Sequence, residues 1–207
     1  MRIIKVLTTV LLLGNVCIAQ QNKVGGKCEG CEAIYENDVP FEKLPVVVKL
    51  PDATWDGKKP LGINGVVYKA DGKTPAADVI LYFYHTDETG YYPLKGNEKG
   101  WAKRHGYIRG WAKTNTKGEY KFVTLRPVAY PDRTEPAHIH VILKEPGITE
   151  YYIDEFLFDD DPLLTQERRN KLENRGGSGI VKLIDVGNMY KGERNIYLGK
   201  NIPNYPK

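Results

Sequence analysis

From Leu61 onward the chain is written in short runs of β-branched and aromatic residues, each closed by a turn signal, and this pattern leaves few folds open. Gly65-Val66-Val67-Tyr68 ends at Asp71-Gly72, Val79-Ile80-Leu81-Tyr82-Phe83-Tyr84 follows, and residues 119–125 begin after Lys117-Gly118. Residues 138–143, 151–158, 179–185 and 195–198 continue the series. Runs this short suit strands, whose side chains alternate between two faces, better than helices. The expected fold is all-β: a single β-sandwich of two mainly antiparallel sheets with long loops. One short helix is expected after the core, with Thr165 as N-cap, Gln166 to Leu172 as its body and a stop near Gly176-Gly177. The stretches 86–109 and 127–136 are long for plain hairpins, and long loops on a rigid sandwich are where sites sit.

Ahead of this pattern stand two other kinds of sequence. Met1-Arg2-Ile3-Ile4-Lys5 is a short basic start, residues 6–14 are apolar but too few to span a bilayer, and Val16-Cys17-Ile18-Ala19 closes on a small residue. A signal peptide over 1–19 is predicted, cleaved after Ala19, with export to the periplasm or the exterior. Cys17 offers the alternative of a lipid anchor, against which Gly14-Asn15-Val16 lacks the usual leucine three positions upstream. No later apolar run approaches spanning length. Residues 20–60 then read as a proline-punctuated arm, with a lead-in strand around Val46-Val47-Val48, and 61–207 as the sandwich domain. The formal charge of +4 falls by two when Arg2 and Lys5 leave with the signal, and acidic residues are interspersed throughout. No basic stripe with interleaved aromatics is present, which argues against nucleic acid as a partner. Within the arm, Cys28-Glu29-Gly30-Cys31 is expected to be a local disulfide: zinc would need a second such pair, and redox chemistry a βαβ setting.

Two of the four histidines, His138 and His140, stand at i and i+2 ahead of Val141-Ile142-Leu143. On a strand both project to one side, with Ile139 turned the other way into a core. Two imidazoles on one rigid face suit a single metal ion; two solvent-facing histidines on an edge strand are the plain alternative. His85 and His105 lack a second ligand at metal spacing and read as polar loop residues. Asp154 and Glu155 read as strand-face charges, and Asp159-Asp160-Asp161 as a solvated acidic turn, because it lacks the glycine and distal glutamate of a calcium loop.

Between Leu61 and about Phe158 the chain resembles the intradiol ring-cleavage dioxygenases, the catechol and protocatechuate enzymes. Leu61-Gly62-Ile63-Asn64-Gly65-Val66-Val67 is similar to the family's opening strand, and Gly90-Tyr91-Tyr92 to the segment bearing its first iron ligand. Thr124-Leu125-Arg126-Pro127-Val128-Ala129-Tyr130-Pro131 and Pro136-Ala137-His138-Ile139-His140 are the strongest matches. The resemblance implies a non-haem ferric ion, Fe(3+), held by Tyr92, Tyr130, His138 and His140. Phenolate oxygens and neutral imidazoles suit that hard cation, and a phenol of pKa about 10 ionises at neutral pH only beside one. It further implies that Tyr130 is the axial tyrosinate, which gives way to a catechol and takes a substrate proton. Dioxygen and a small-molecule catechol would be the substrates, a muconate-type dicarboxylic acid the product, and the oligomeric state, a homo-oligomer included, is left open.

One residue departs from the pattern. Three positions before the first histidine the family usually has an arginine, and here stands Glu135. Arg133, two residues earlier, is expected to supply the missing charge. The arm is also too short for the helical dimerisation domain of catechol dioxygenases, which leaves the protocatechuate type or an exported single-domain relative. Two rival readings stand beside this one: a metal-free, transthyretin-like binding module, and a zinc hydrolase using His138, His140 and a carboxylate such as Glu135.

Overall fold

A computed structural model describes residues 23–52 and 57–206, so the predicted signal peptide, its cleavage site and Cys17 lie outside the described residues. The arm opens with two 3-10 turns, Cys31–Tyr35 and Phe41–Lys43, and then β1 (Val47–Lys49). The sandwich follows as β2 (Leu61–Tyr68), β3 (Ile80–Tyr84), α1 (Ala102–His105), β4 (Arg109–Lys113), β5 (Glu119–Thr124) and β6 (His138–Lys144). After these come β7 (Tyr151–Tyr152), β8 (Phe156–Phe158), α2 (Gln166–Lys171), β9 (Ile180–Val181), β10 (Ile184–Asp185), β11 (Tyr190–Glu193) and β12 (Ile196–Tyr197). No helix among the described residues is long and apolar enough to cross a membrane.

Two sheets form the expected sandwich. One runs β1-β5-β2-β11-β10 with β12 also on β2, and the other runs β4-β3-β6-β8-β9 with β7 also on β6. Antiparallel pairs dominate, but β1–β5, β2–β11, β2–β12 and β8–β9 are parallel. Phe122 of the first sheet meets Phe83 and Phe156 of the second, at ring-centroid distances of 4.3 and 5.4 Å, and these three rings tie the layers together. Each such ring contributes roughly 1.5–3 kcal/mol by leaving water.

Where the structure departs from the sequence pattern, local hydrogen bonding explains it. The run 151–158 breaks into β7 and β8 because Asp154 turns out of the ladder: its carboxylate accepts from Asn174 N at 2.8 Å and its own N–H donates to Arg175 O. The run 179–185 divides between the sheets, β9 pairing with β8 and β10 with β11. α1 occupies part of the expected 86–109 loop, and β11 arises in residues with no apolar alternation to announce it. The helix after the core forms as expected, Thr165 capping it by accepting from Arg168 N.

β3 shows what the second sheet does with its outer face. Leu81 and Phe83 point between the sheets, while Ile80 and Tyr82 point outward and are covered by Cys31, Ala33, Ile34 and Leu44 of the arm. Cys28 and Cys31 are disulfide-bonded, as expected for a pin on this arm. Trp111 Nε1 donates to Ile34 O at 2.8 Å, and Glu36 accepts from both Arg109 and Trp101 N.

His85 corrects the sequence reading, since it is buried rather than a polar loop residue. Its Nδ1–H donates to Thr86 O and its Nε2 faces Thr124 Oγ1, both at 2.6 Å, so the ring links the end of β3 to β5. Burial pushes its pKa down to about 4, the Thr86 carbonyl opposing in part. Between pH 6.5 and 4 the unfolded chain therefore binds a proton here that the folded chain refuses, and stability falls as pH falls through that window. His85→Gln should flatten the fall by up to about 1.4 kcal/mol per pH unit, read from urea denaturation at pH 7, 6 and 5. Separately, replacing Cys28 and Cys31 by serine should cost about 2 kcal/mol, the low end for so short a loop, and unreduced parent protein should show no alkylatable thiol in this pair.

Candidate metal centre

The alternation that buries Leu81 and Phe83 continues across the sheet. On β6, Ile139, Val141 and Leu143 enter the core between the sheets, and His138, His140 and Ile142 face outward. The plain alternative of solvent-facing histidines does not hold, because β6 is a central strand flanked by β3 and β8, and both rings are only partly exposed. Tyr84, opposite His140 in the β3–β6 register, stacks on its ring at 4.5 Å.

Two loops bring the tyrosines to this face. Gly90 has φ 82°, and a Cβ there would lie 2.4 Å from Ala129 O, so only glycine lets the loop bearing Tyr92 rest against the loop bearing Tyr130. Thr86 Oγ1 donates to Val128 O at 2.9 Å and holds the same pair of loops together. Tyr91, beside Tyr92, turns out to solvent.

The four residues meet in a closed ring of contacts. Tyr92 Oη is 2.6 Å from Tyr130 Oη and 2.8 Å from His140 Nε2. Tyr130 Oη is 3.2 Å from His138 Nε2, and the two Nε2 atoms are 3.1 Å apart. Oxygen and nitrogen ligands about 2.0–2.2 Å from one small cation lie about 3 Å from each other, so the spacing fits a shared metal.

The tautomers fit as well. His138 Nδ1–H donates to Pro136 O at 2.7 Å, which leaves its Nε2 lone pair toward the cluster. His140 Nδ1 faces the carboxylate of Glu155 at 3.7 Å, placing its proton on the side away from the cluster. Two bare nitrogens thus face one another with no proton between them. Burial, and then the hydrogen bond with Tyr130, pushes the Tyr92 phenol up. Burial also raises Tyr130, against the hydrogen bond from Tyr92. A cation at the focus removes both difficulties, since it binds the lone pairs and stabilises the phenolates. Among the described residues no group of three or more His, Cys, Asp or Glu is placed to hold a metal; the mixed phenol–imidazole set is the one that converges.

Further residues shape this centre that sequence reasoning passed over. His105, read as a polar loop residue, is buried on α1 and stacks on Tyr84 at 3.8 Å, so His105, Tyr84 and His140 form one column of rings. The Asp159-Asp160-Asp161 turn is solvated only in part. Asp161 is buried, and its carboxylate accepts from Ala137 N at 2.9 Å and Leu163 N at 2.8 Å, fixing the backbone just before His138. Glu155 lies between β7 and β8 beside His140 rather than on a strand face. These roles depend on contacts distant in sequence, and no local signal announces them.

Two cavities open on the ring. One of about 250 Å³ is lined by Tyr130, His138 and His140 together with Glu135, Glu155, Arg168 and leucines; the other, of about 270 Å³, by Tyr84, Tyr92, His105 and Tyr130 with Glu29 and Arg104. Glu135 pairs with Arg168 at 2.7 Å instead of approaching the ring, so it is not placed as the zinc ligand of the hydrolase reading. Arg133 is exposed, with φ 54° in a turn closed by its N–H on Tyr130 O, and the described residues lining the 250 Å³ cavity include Arg168 in its stead.

No family model matches the chain. In sequence it is 28% identical over 151 residues to catechol 1,2-dioxygenase 1 of Acinetobacter lwoffii, a match covering 61% of this chain and 48% of that protein, so the chain spans about half the length of the curated relative it matches. Among solved structures, the dioxygenase domain of a dioxygenase–carbohydrate-binding protein fusion from Streptomyces sp. SirexAA-E is similar with TM-score 0.55 and 23% identity, over 78% of this chain and 94% of that domain. Catechol 1,2-dioxygenase of Acinetobacter radioresistens gives TM-score 0.58 at 17% identity, over 79% of this chain and 60% of that one. 3-Chlorocatechol 1,2-dioxygenase of Rhodococcus opacus 1CP gives 0.56 at 20%, over 74% and 64%. At these identities the structural likeness establishes the fold.

Asp161→Ala should lose about 1–3 kcal/mol in chemical denaturation, because it strands two backbone N–H groups, and Asp161→Asn, which keeps an acceptor, should lose less.

Proposed function

We propose that the chain is an intradiol ring-cleavage dioxygenase, a reading its fold and sequence likeness support, and that it opens a catechol-type ring between its two hydroxylated carbons. Both atoms of O2 enter the product, a muconate-type dicarboxylic acid, so the reaction needs no external reductant. The observation that carries this reading is the closed ring of Tyr92, Tyr130, His138 and His140, whose donor atoms stand 2.6–3.2 Å apart.

Those four side chains would hold ferric iron, and the donor chemistry fits it: two phenolates favour the hard Fe(III) state and two neutral imidazoles complete the set. The ion, when bound, supplies the positive charge that chelates a catecholate and activates it toward dioxygen. The chain's own residues supply placement. His138 and His140 are fixed by β6, by Pro136 O and by Tyr84, so they hold their positions as substrate enters. Tyr130 sits on the loop between β5 and β6 and lines both cavities, which makes it the ligand free to shift. Its Oη is the atom placed to take a proton from a substrate hydroxyl. Leu157, Leu164, Leu172 and Pro136 form the apolar wall against which a ring would lie and exclude water.

We also read the chain as exported. The basic, apolar and small-residue order of its first nineteen residues supports this, as does the Cys28–Cys31 disulfide, which persists in oxidising compartments.

Protein loaded with ferric iron should be red to purple from a broad tyrosinate-to-iron charge-transfer band, with about one iron per chain by metal analysis. Tyr92→Phe and Tyr130→Phe should each weaken or shift the band. A colourless protein that takes up zinc but refuses iron, or binds neither, would count against the dioxygenase and for one of the two rival readings.

A further inference from the structure

The 250 Å³ cavity presents an electrostatic problem. Its wall carries two carboxylates, Glu135 and Glu155, yet the reading above requires it to take a catecholate and to release a dicarboxylate. A bound ferric ion would answer for the oxygens it chelates, but an anionic oxygen of the substrate or product lying off the ion, against these carboxylates, is opposed unless the protein supplies a cation of its own. Among the described residues lining the cavity, one carries a cationic side chain: Arg168, on α2.

Arg168 is held in place from several directions. Its Nη1 donates to Glu135 Oε2 at 2.7 Å, and its Nη2 donates to Thr134 O. Its backbone N–H caps on Thr165 Oγ1 at 3.3 Å. The next residue, Arg169, donates to Leu164 O in the helix's own lead-in at 3.1 Å and anchors the helix to the end of β8 through the carboxylate and carbonyl of Asp159, both at 2.7 Å. A guanidinium on a helix so tethered reaches the cavity from a fixed direction, and five N–H donors let it keep Glu135 while offering others to a ligand. Other arginines near the centre point elsewhere: Arg126 makes a two-pronged pair with Asp160, and Arg104 pairs with Glu29 at the second cavity.

We propose that Arg168 is the substrate-side cation of this site, binding the anionic oxygens of the ring substrate and of the product formed from it. Glu135 is its holder, and Arg133 takes no part. The inference rests on the dioxygenase reading of the four-residue ring.

The test uses full-length, iron-loaded protein and 4-nitrocatechol as a slowly turned-over probe under anaerobic conditions, with binding followed by the change in the visible band. Iron content and resting spectrum are measured for every variant. Arg168→Gln keeps a donor for Thr134 O but removes the charge; its Kd should rise by about tenfold or more, the worth of one charge-assisted hydrogen bond, with iron and resting colour unchanged. Arg168→Lys keeps the charge but loses the fork that serves Glu135, Thr134 O and the ligand together, so its Kd should fall between those of the parent and Arg168→Gln. Glu135→Arg placed in the Arg168→Gln background should recover part of the loss by bringing the cation from the loop. Arg133→Ala should match the parent. Should Arg168→Gln bind the probe as the parent does, the proposal is wrong. Should it lose iron in step with binding, Arg168 is a brace for the loop between Tyr130 and His138, and the proposal is equally wrong. A parent that takes up iron but binds no catechol overturns the reading of the site and this inference with it.

Discussion

Everything at this centre depends on the two-residue period of β6. The strand is held by what it buries: Ile139, Val141 and Leu143 lock it between the sheets, next to the Phe83, Phe122 and Phe156 rings. The opposite face of the same strand therefore has no freedom to choose its register. His138 and His140 stand where they do because the hydrophobic core stands where it does. A slip of one residue would drive both imidazoles into the aromatic cluster and expose three aliphatic side chains, a state the core excludes by many kilocalories rather than by a local preference. Precision in the site is thus inherited from packing.

A second constraint is the balance of charge at the focus. Four donor atoms share a space in which only two phenolic protons are available, and burial disfavours ionising either phenol. Bare imidazole nitrogens 3.1 Å apart add repulsion. Such an arrangement is strained for a plain hydrogen-bonded cluster and natural for ligands of one cation. The supporting shell points the same way. Pro136 O and Glu155 each address the nitrogen turned away from the cluster, and Asp161 fixes the backbone that carries Pro136 and Ala137. A cluster meant only to pack would have no use for tautomers specified in this way.

Much of this was legible in the sequence, and the remainder was hidden for identifiable reasons. The strand period of residues 138–143 and the turn signals around it announced the sandwich, the facing histidines and the buried Ile139, because alternation is a local property of strands. Tyr92 and Tyr130 came from likeness to a family pattern, and the structure brings them to the histidines. His105 and Glu155 gave no local signal: one acts through a ring column across α1 and β3, the other from a break that Asp154 makes in an apparently continuous strand. Arg168 was hidden for the same reason. The sequence set Glu135 beside Arg133, two residues away, whereas the fold pairs it with Arg168 on α2, 33 residues on. The partner of Glu135 is set by the fold, which brings α2 back to this loop, and not by nearness along the chain.

The arm shows how the same sheet face serves two purposes. Its outer surface is one continuous strip, with Ile80, Tyr82 and Ile142 at one end and Tyr84, His138 and His140 at the other. The arm covers the first part and stops short of the second. Gly30, between the bonded cysteines, sits at φ 81°, and a Cβ there would be 2.9 Å from His105 Nε2, so the disulfide turn touches the first member of the ring column. Next to it Glu29 pairs with Arg104 on the rim of the second cavity. The disulfide therefore does more than staple a polar segment. By fixing this turn it sets the distance between the arm and His105, and His105 is in stacked contact with Tyr84, which is in stacked contact with His140. In a stacked column of three rings, displacement at one end passes to the next ring by direct contact. The short arm is in this sense part of the wall behind His140, one of the four side chains of the candidate centre.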